Sequence, residues 1–126
     1  MLYVYSLAEQ TIAVDAPVAF PSIGISKGKY AIQSTESTIT INCPGIYEVT
    51  FNGTASAAGE VQLTLNGLNV EGAIANGTTL TFTVLVGVNP NCCAVTDNLP
   101  ARLQVVNTGE AAVTLTNVGI TVIKVG

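Results

Sequence analysis

The sequence predicts an all-β fold, a sandwich or jelly roll of roughly eight to ten short strands, and three observations carry that expectation. The dominant hydropathy period is two: "TITI", "EVQLTL", "LTFTVLV", "RLQV", "VTLT" and "ITVI" each alternate apolar residues with Thr or another polar type. Turn chemistry separates these runs, as Pro44-Gly45, Asn52-Gly53, Asn66-Gly67, Asn76-Gly77, Asn89-Pro90 and Thr108-Gly109. Helical spacing is nearly absent. Thr is β-branched, so it favours strands while keeping an outer face wet without charge.

Taken in order, the chain opens on an aromatic strand, "LYVYS". Residues 15–34 are the least regular part, with Pro17 and Pro21 breaking any long strand, and are expected to form short edge strands and loops. After "TITI" and the Pro44-Gly45 turn comes the best-formed strand, with Tyr47, Val49 and Phe51 on one face and Ile46, Glu48 and Thr50 on the other. Asn52-Gly53 is expected to end it, and Asn76-Gly77 to turn a later hairpin. Leu80, Phe82, Val84, Val86 and Val88 share an apolar face, with Leu85 the one large apolar residue opposite. The last strand, with Val118, Ile120 and Val122 on one side and Ile123 and Val125 on the other, is expected to be covered on both and to serve as an interface.

Composition narrows the function classes. The 126 residues suit one domain with one core, and no internal repeat or linker divides them. Apolar residues make up 48% and charged residues 10% of the chain, against about 25% charged in an ordinary domain. With so little charge to cover its surface, the chain is expected to oligomerise. A net charge of -4 and four scattered basic residues argue against a nucleic-acid partner. No apolar run approaches the roughly 20 residues of a membrane-spanning helix, so no membrane insertion is expected. Met1 leads directly into strand-like sequence, which is not the pattern of a standard secretion signal.

The search for chemistry is mostly negative. There is no His, the usual general base near neutral pH and the commonest metal ligand. Asp15, Asp97 and six Glu are scattered singly, and no phosphate loop or nucleophile motif is present. No catalytic residue, cofactor or metal is expected. Cys43, Cys92 and Cys93 form an odd set. Reduced, partly buried thiols are one reading; bridging between copies through Cys92 and Cys93 of "NPNCCAVTDNLP" is the other. Cys43 is expected to lie at the opposite end of the sandwich from that pair, which argues against a bridge to it. The Asn-Gly-Thr sequences at 52–54 and 76–78 read as turn chemistry more readily than as glycosylation sites.

The order of "LYVYS", "VAFPSIGIS", "STITINCPGIYEVTF", "VQLTLNGLNVEGA" and "ITVIKVG" resembles the C-terminal head of bacterial collagen-like proteins, above all the exosporium glycoproteins of spores, within the tumour necrosis factor-like jelly rolls. The resemblance spans nearly the whole chain. It implies a jelly roll of about ten strands, a single head domain over 1–126, and a homotrimer with one sheet of each subunit facing the threefold axis. It also implies a structural role: a spore-surface tip that nucleates a collagen-like triple helix lying outside these residues. Candidate interface or core residues are Tyr47, Val49, Phe51, Phe82, Val84, Val118, Ile120 and Val122. Other spore-surface proteins are implied as partners. The alternative is an adhesin-like or fibre-tip head that binds a glycan or host receptor through its loops, with Phe20 and Tyr30 as the aromatics outside strand-like segments.

Overall fold

The computed structural model describes residues 1–28, 31–88 and 101–125, apart from the side chains of Ile32 and Ser34. Nine strands run through them: β1 (Leu2–Ser6), β2 (Gln10–Ile12), β3 (Ser22–Ser26), β4 (Ala31–Thr35), β5 (Thr38–Ile41), β6 (Gly45–Leu65), β7 (Leu68–Val88), β8 (Ala101–Asn107) and β9 (Val113–Lys124). All pairings are antiparallel, and no helix occurs among the described residues.

β6 and β7 make the architecture. Each is 21 residues long, and they pair with each other from Gly45↔Val88 to Leu65↔Leu68. The first half of β6, from Tyr47 to Ala55, bonds to β9 on its other side, whereas Val61 to Leu65 bond to β8. One hairpin therefore belongs to two layers. The first layer runs β3, β1, β9, then the Gly45-side half of β6 and the Val88-side half of β7; the second runs β4, β5, β8, then the remaining halves. The fold-over comes where the β6–β7 register slips between Thr54 and Gly59. This is an antiparallel sandwich of jelly-roll type, closed over one core.

That core draws on both layers. Leu2, Val4, Tyr47, Val49, Phe51, Leu80, Phe82, Val118, Ile120 and Val122 come from the first, and Ile39, Ile41, Val61, Leu63, Leu103 and Val105 from the second. Phe51 stacks on Phe82 at 5.5 Å between ring centroids and meets Phe20 edge-on at 6.2 Å. The irregular stretch 15–34 supplies edges, as expected: β3 closes one layer and β4 the other. Ahead of β3, Gln10 of β2 clamps Ala19 through both amide atoms at 2.9 Å.

Three expectations need correction. Asn52-Gly53 is not a turn: both residues lie inside β6, and Gly53 is there because a Cβ would sit 3.0 Å from Val118 Cγ1 and 3.4 Å from Phe51 Cζ. Asn76-Gly77 is not a hairpin turn either. It lies inside β7 at the fold-over, where Gly77 takes φ 106, a conformation costly for any residue with a Cβ. The true turn is Asn66-Gly67, with φ 53 and 84, the pattern of a tight I′ turn. Two of the expected strand boundaries dissolve into long strands for this reason.

The third correction concerns the cysteines. Ile41 pairs with Ala101 and Gly45 with Val88, so the turn carrying Cys43 lies at the same end of the sandwich as both ends of segment 89–100. The three-residue turn 42–44 crosses from β5 in the second layer to β6 in the first. Cys92 and Cys93 themselves lie outside the described residues, as do Tyr30 and Asn89-Pro90.

Candidate binding surface

The strands of the first layer have two faces, and the sequence-predicted residues divide between them by simple alternation. Tyr47, Val49, Phe51, Phe82, Val118, Ile120 and Val122 all point into the core of the chain, and Val84 packs against it partly buried. Their side chains are filled from within the subunit. Tyr47 also donates its hydroxyl to the Cys43 carbonyl at 2.7 Å, fixing the turn that leads into β6. Any contact between copies at this layer has to use the reverse face.

That reverse face is written by the pairing registers. Across its middle runs the row Ile25, Tyr3, Thr121, Thr50 and Thr83, one residue from each of the five strands. Beside it lies Ile123, Glu48 and Leu85, and on the other side Tyr5, Gly119, Asn52 and Thr81. Glu48 is the one carboxylate in these rows, and they hold no Lys or Arg. Leu85 is 62% exposed, Ile25 42% and Ile46, next along β6, 38%. The Thr50 and Thr83 hydroxyls approach to 3.4 Å, so the middle row pairs its polar groups within the face.

Tyr3 and Tyr5 give this face relief. Both are half-buried, and their rings stack at 5.5 Å with planes 17° apart. They lie over two glycines: a Cβ on Gly24 would stand 2.6 Å from Tyr3 Cδ2, and one on Gly119 3.1 Å from Tyr3 Cε1. Larger residues at those positions would push the rings up from the sheet. The same Gly119 position is 3.2 Å from Asn52 Oδ1 and 3.4 Å from the Tyr3 hydroxyl, so an amide and a phenol border one small depression. Sequence reasoning identified "LYVYS" as an aromatic strand but missed this pair as a surface feature. The signal was there in "SIGIS" and "NVGIT", where glycine interrupts strands that otherwise favour side chains.

Phe20, expected as an aromatic outside the strands and open to a ligand, is 2% exposed and belongs to the core. Its neighbours Pro17 and Val18 bridge to β8, with Val18 N–H donating to the Val105 carbonyl at 2.7 Å, and this draws the ring inward. At the fold-over end lies an open cleft of about 360 Å³, lined by Ala58, Gly59, Glu60, Asn76, Gly77, Gly109, Glu110 and Ala111. Its Glu60 carboxylate accepts a hydrogen bond from Thr108 at 3.0 Å. No group of three or more candidate metal ligands gathers among the described residues.

No protein-family model and no curated protein matches the sequence. Solved structures do match the fold. Over 99% of this chain and 96% of the other, the structure superimposes on the PRD1 vertex protein P5 with a TM-score of 0.65 at 15% identity. A weaker superposition covers 94% of this chain and all of the CBM36-1 domain of a multidomain xylanase from the hindgut metagenome of Trinervitermes trinervoides, with a TM-score of 0.43 at 13% identity. The first likeness establishes a shared jelly-roll-like architecture.

Proposed function

We propose that this chain is a non-catalytic head that trimerises through the outer face of the β3-β1-β9-β6-β7 layer and caps a surface filament. The observation that carries the reading is that face: five strands wide, nearly free of charge, with exposed Ile25, Ile46 and Leu85 around a threonine row. A second copy is the occupant such a face fits, since a surface whose rows hold a single carboxylate, Glu48, sets little like charge against an identical surface. The fold shared with a protein named for a viral vertex supports a role in a surface assembly. The motif order that resembles exosporium heads supports the finer assignment, a spore-surface tip on a collagen-like stalk. A stalk entering ahead of Leu2 would join the end that also carries the turn 42–44.

The stacked Tyr3 and Tyr5 favour a second reading, in which the same face stacks sugar rings and the head is an adhesin. The two readings separate in one experiment. Light scattering under reducing conditions gives a mass near three times 12.9 kDa if the face is closed by copies. A stable monomer that loses glycan-array signal on Tyr3→Ala supports the adhesin instead and overturns the trimer.

A further inference from the structure

We propose that Asn76 is a site of spontaneous deamidation in the folded protein, and that the fold protects the two other Asn-Gly pairs of the chain. The chemistry needs no partner other than water. The backbone nitrogen of the following glycine attacks Cγ of the asparagine, forming a C–N bond and a five-membered succinimide. The bond from Cγ to Nδ2 breaks and ammonia leaves. Water then opens the ring at either carbonyl, giving aspartate or isoaspartate. The net change is one water in and one ammonia out, with one negative charge gained.

All three pairs have the glycine that makes attack unhindered, so the difference lies in how firmly each is held. Asn52 and Gly53 pair without a break with Thr81 and Leu80 of β7; the β9 ladder slips just past Asn52↔Gly119, but there Gly53 is buried beneath Val118. Freeing that nitrogen requires opening the middle of the layer. Asn66 lies in an exposed turn, yet its side-chain oxygen accepts the Arg102 N–H at 2.9 Å while its own N–H donates to the Arg102 carbonyl at 2.9 Å. The carbonyl that would be attacked is held in a bond. Asn76 has neither protection: it is exposed, and its amide makes no hydrogen bond to the described residues. It sits on β7, which bonds to β6 along one side only. Its partner is Glu60, the next pair is Gly59↔Gly77, and there the ladder breaks, resuming at Thr54↔Thr79. Local opening is easiest at such an interruption. The product adds a carboxylate to the cleft that already holds Glu60 and Glu110, and an isoaspartate also lengthens the backbone at the fold-over.

The test is to age the folded protein at 37 °C and mildly alkaline pH, digest after glutamate, and follow the mass gain and isoaspartate content of each peptide. Cleavage after Glu48, Glu60, Glu71 and Glu110 puts Asn52, Asn66 and Asn76 in separate peptides, 49–60, 61–71 and 72–110. Fragmentation of the last peptide assigns the change to Asn76. A parallel sample in concentrated urea measures all three without the fold. The expected result is conversion at Asn76 about tenfold or more faster than at Asn52 and Asn66 in the folded protein, which corresponds to about 1.4 kcal/mol of extra local opening at the protected sites. In urea the three rates should converge. Folded-state conversion at Asn66 or Asn52 that matches or exceeds Asn76, or an Asn76 that stays intact while the urea sample converts, overturns the proposal.

Discussion

The two faces of the first layer are made by the same strands and differ in nearly everything else. Inward, Tyr47, Val49 and Phe51 are wholly buried and meet Phe82, Val118 and Ile120. Outward, the intervening residues Ile46, Glu48, Thr50 and Asn52 sit among threonines and tyrosines with almost no charge. An ordinary solvated sheet face carries Lys and Glu. What the contrast teaches is that alternation here separates two apolar faces, one buried by the chain itself and one left open, which the proposed function assigns to a second copy.

Substitutions can break or sharpen this contrast. The largest effect belongs to the inner face: Phe51→Ala removes the ring that touches both Phe82 and Phe20 and should cost about 3–5 kcal/mol in urea unfolding. A loss below 1 kcal/mol would mean the aromatic trio is not the centre of the core. Next is Gly53→Ala, which places a methyl 3.0 Å from Val118 Cγ1 and should cost about 1–3 kcal/mol. Were Asn52-Gly53 a surface turn, the same change would be nearly silent. Tyr47→Phe keeps the inner packing but removes the hydrogen bond to the Cys43 carbonyl, for about 1 kcal/mol by thermal unfolding. The smallest effect on stability is expected outside: compared at dilutions where both proteins are single chains, Leu85→Glu should shift stability by no more than about 0.5 kcal/mol, because the side chain is 62% exposed on the chain alone.

How much of this was legible beforehand follows from what each signal measures. Period-two patterning reports which residues share a face, so the pairing of Tyr47 with Val49 and Phe51, and of Leu80 with Phe82 and Val86, could be read directly. It does not report which apolar face is inner, because Ile46, Leu85 and Ile123 make the outer one apolar too. Turn dipeptides report local conformational freedom, and glycine is also selected where side chains have no room. Thus Asn66-Gly67 turned as expected, while Gly53 answered to Val118 and Gly77 to the fold-over. The threonines of "TITI" misled in the same way: Thr38 and Thr40 are buried, with Thr38 accepting from the Gln104 amide at 2.9 Å, so they are not a wet outer face. The relative placement of Cys43 and segment 89–100 depends on which strands pair. That information is carried by contacts far apart in sequence, Ile41 with Ala101 and Gly45 with Val88.

The most direct measurement is the solution mass of Leu85→Glu beside the wild type, at matched concentration and under reducing conditions, with unfolding midpoints recorded for both. If the outer face is closed by copies of the chain, the wild type holds a mass near three times 12.9 kDa, and the variant falls to the single-chain mass at high dilution while its unfolding as a chain stays intact. A wild type that is monomeric throughout, or a variant that stays trimeric with a carboxylate planted in that face, would contradict the account.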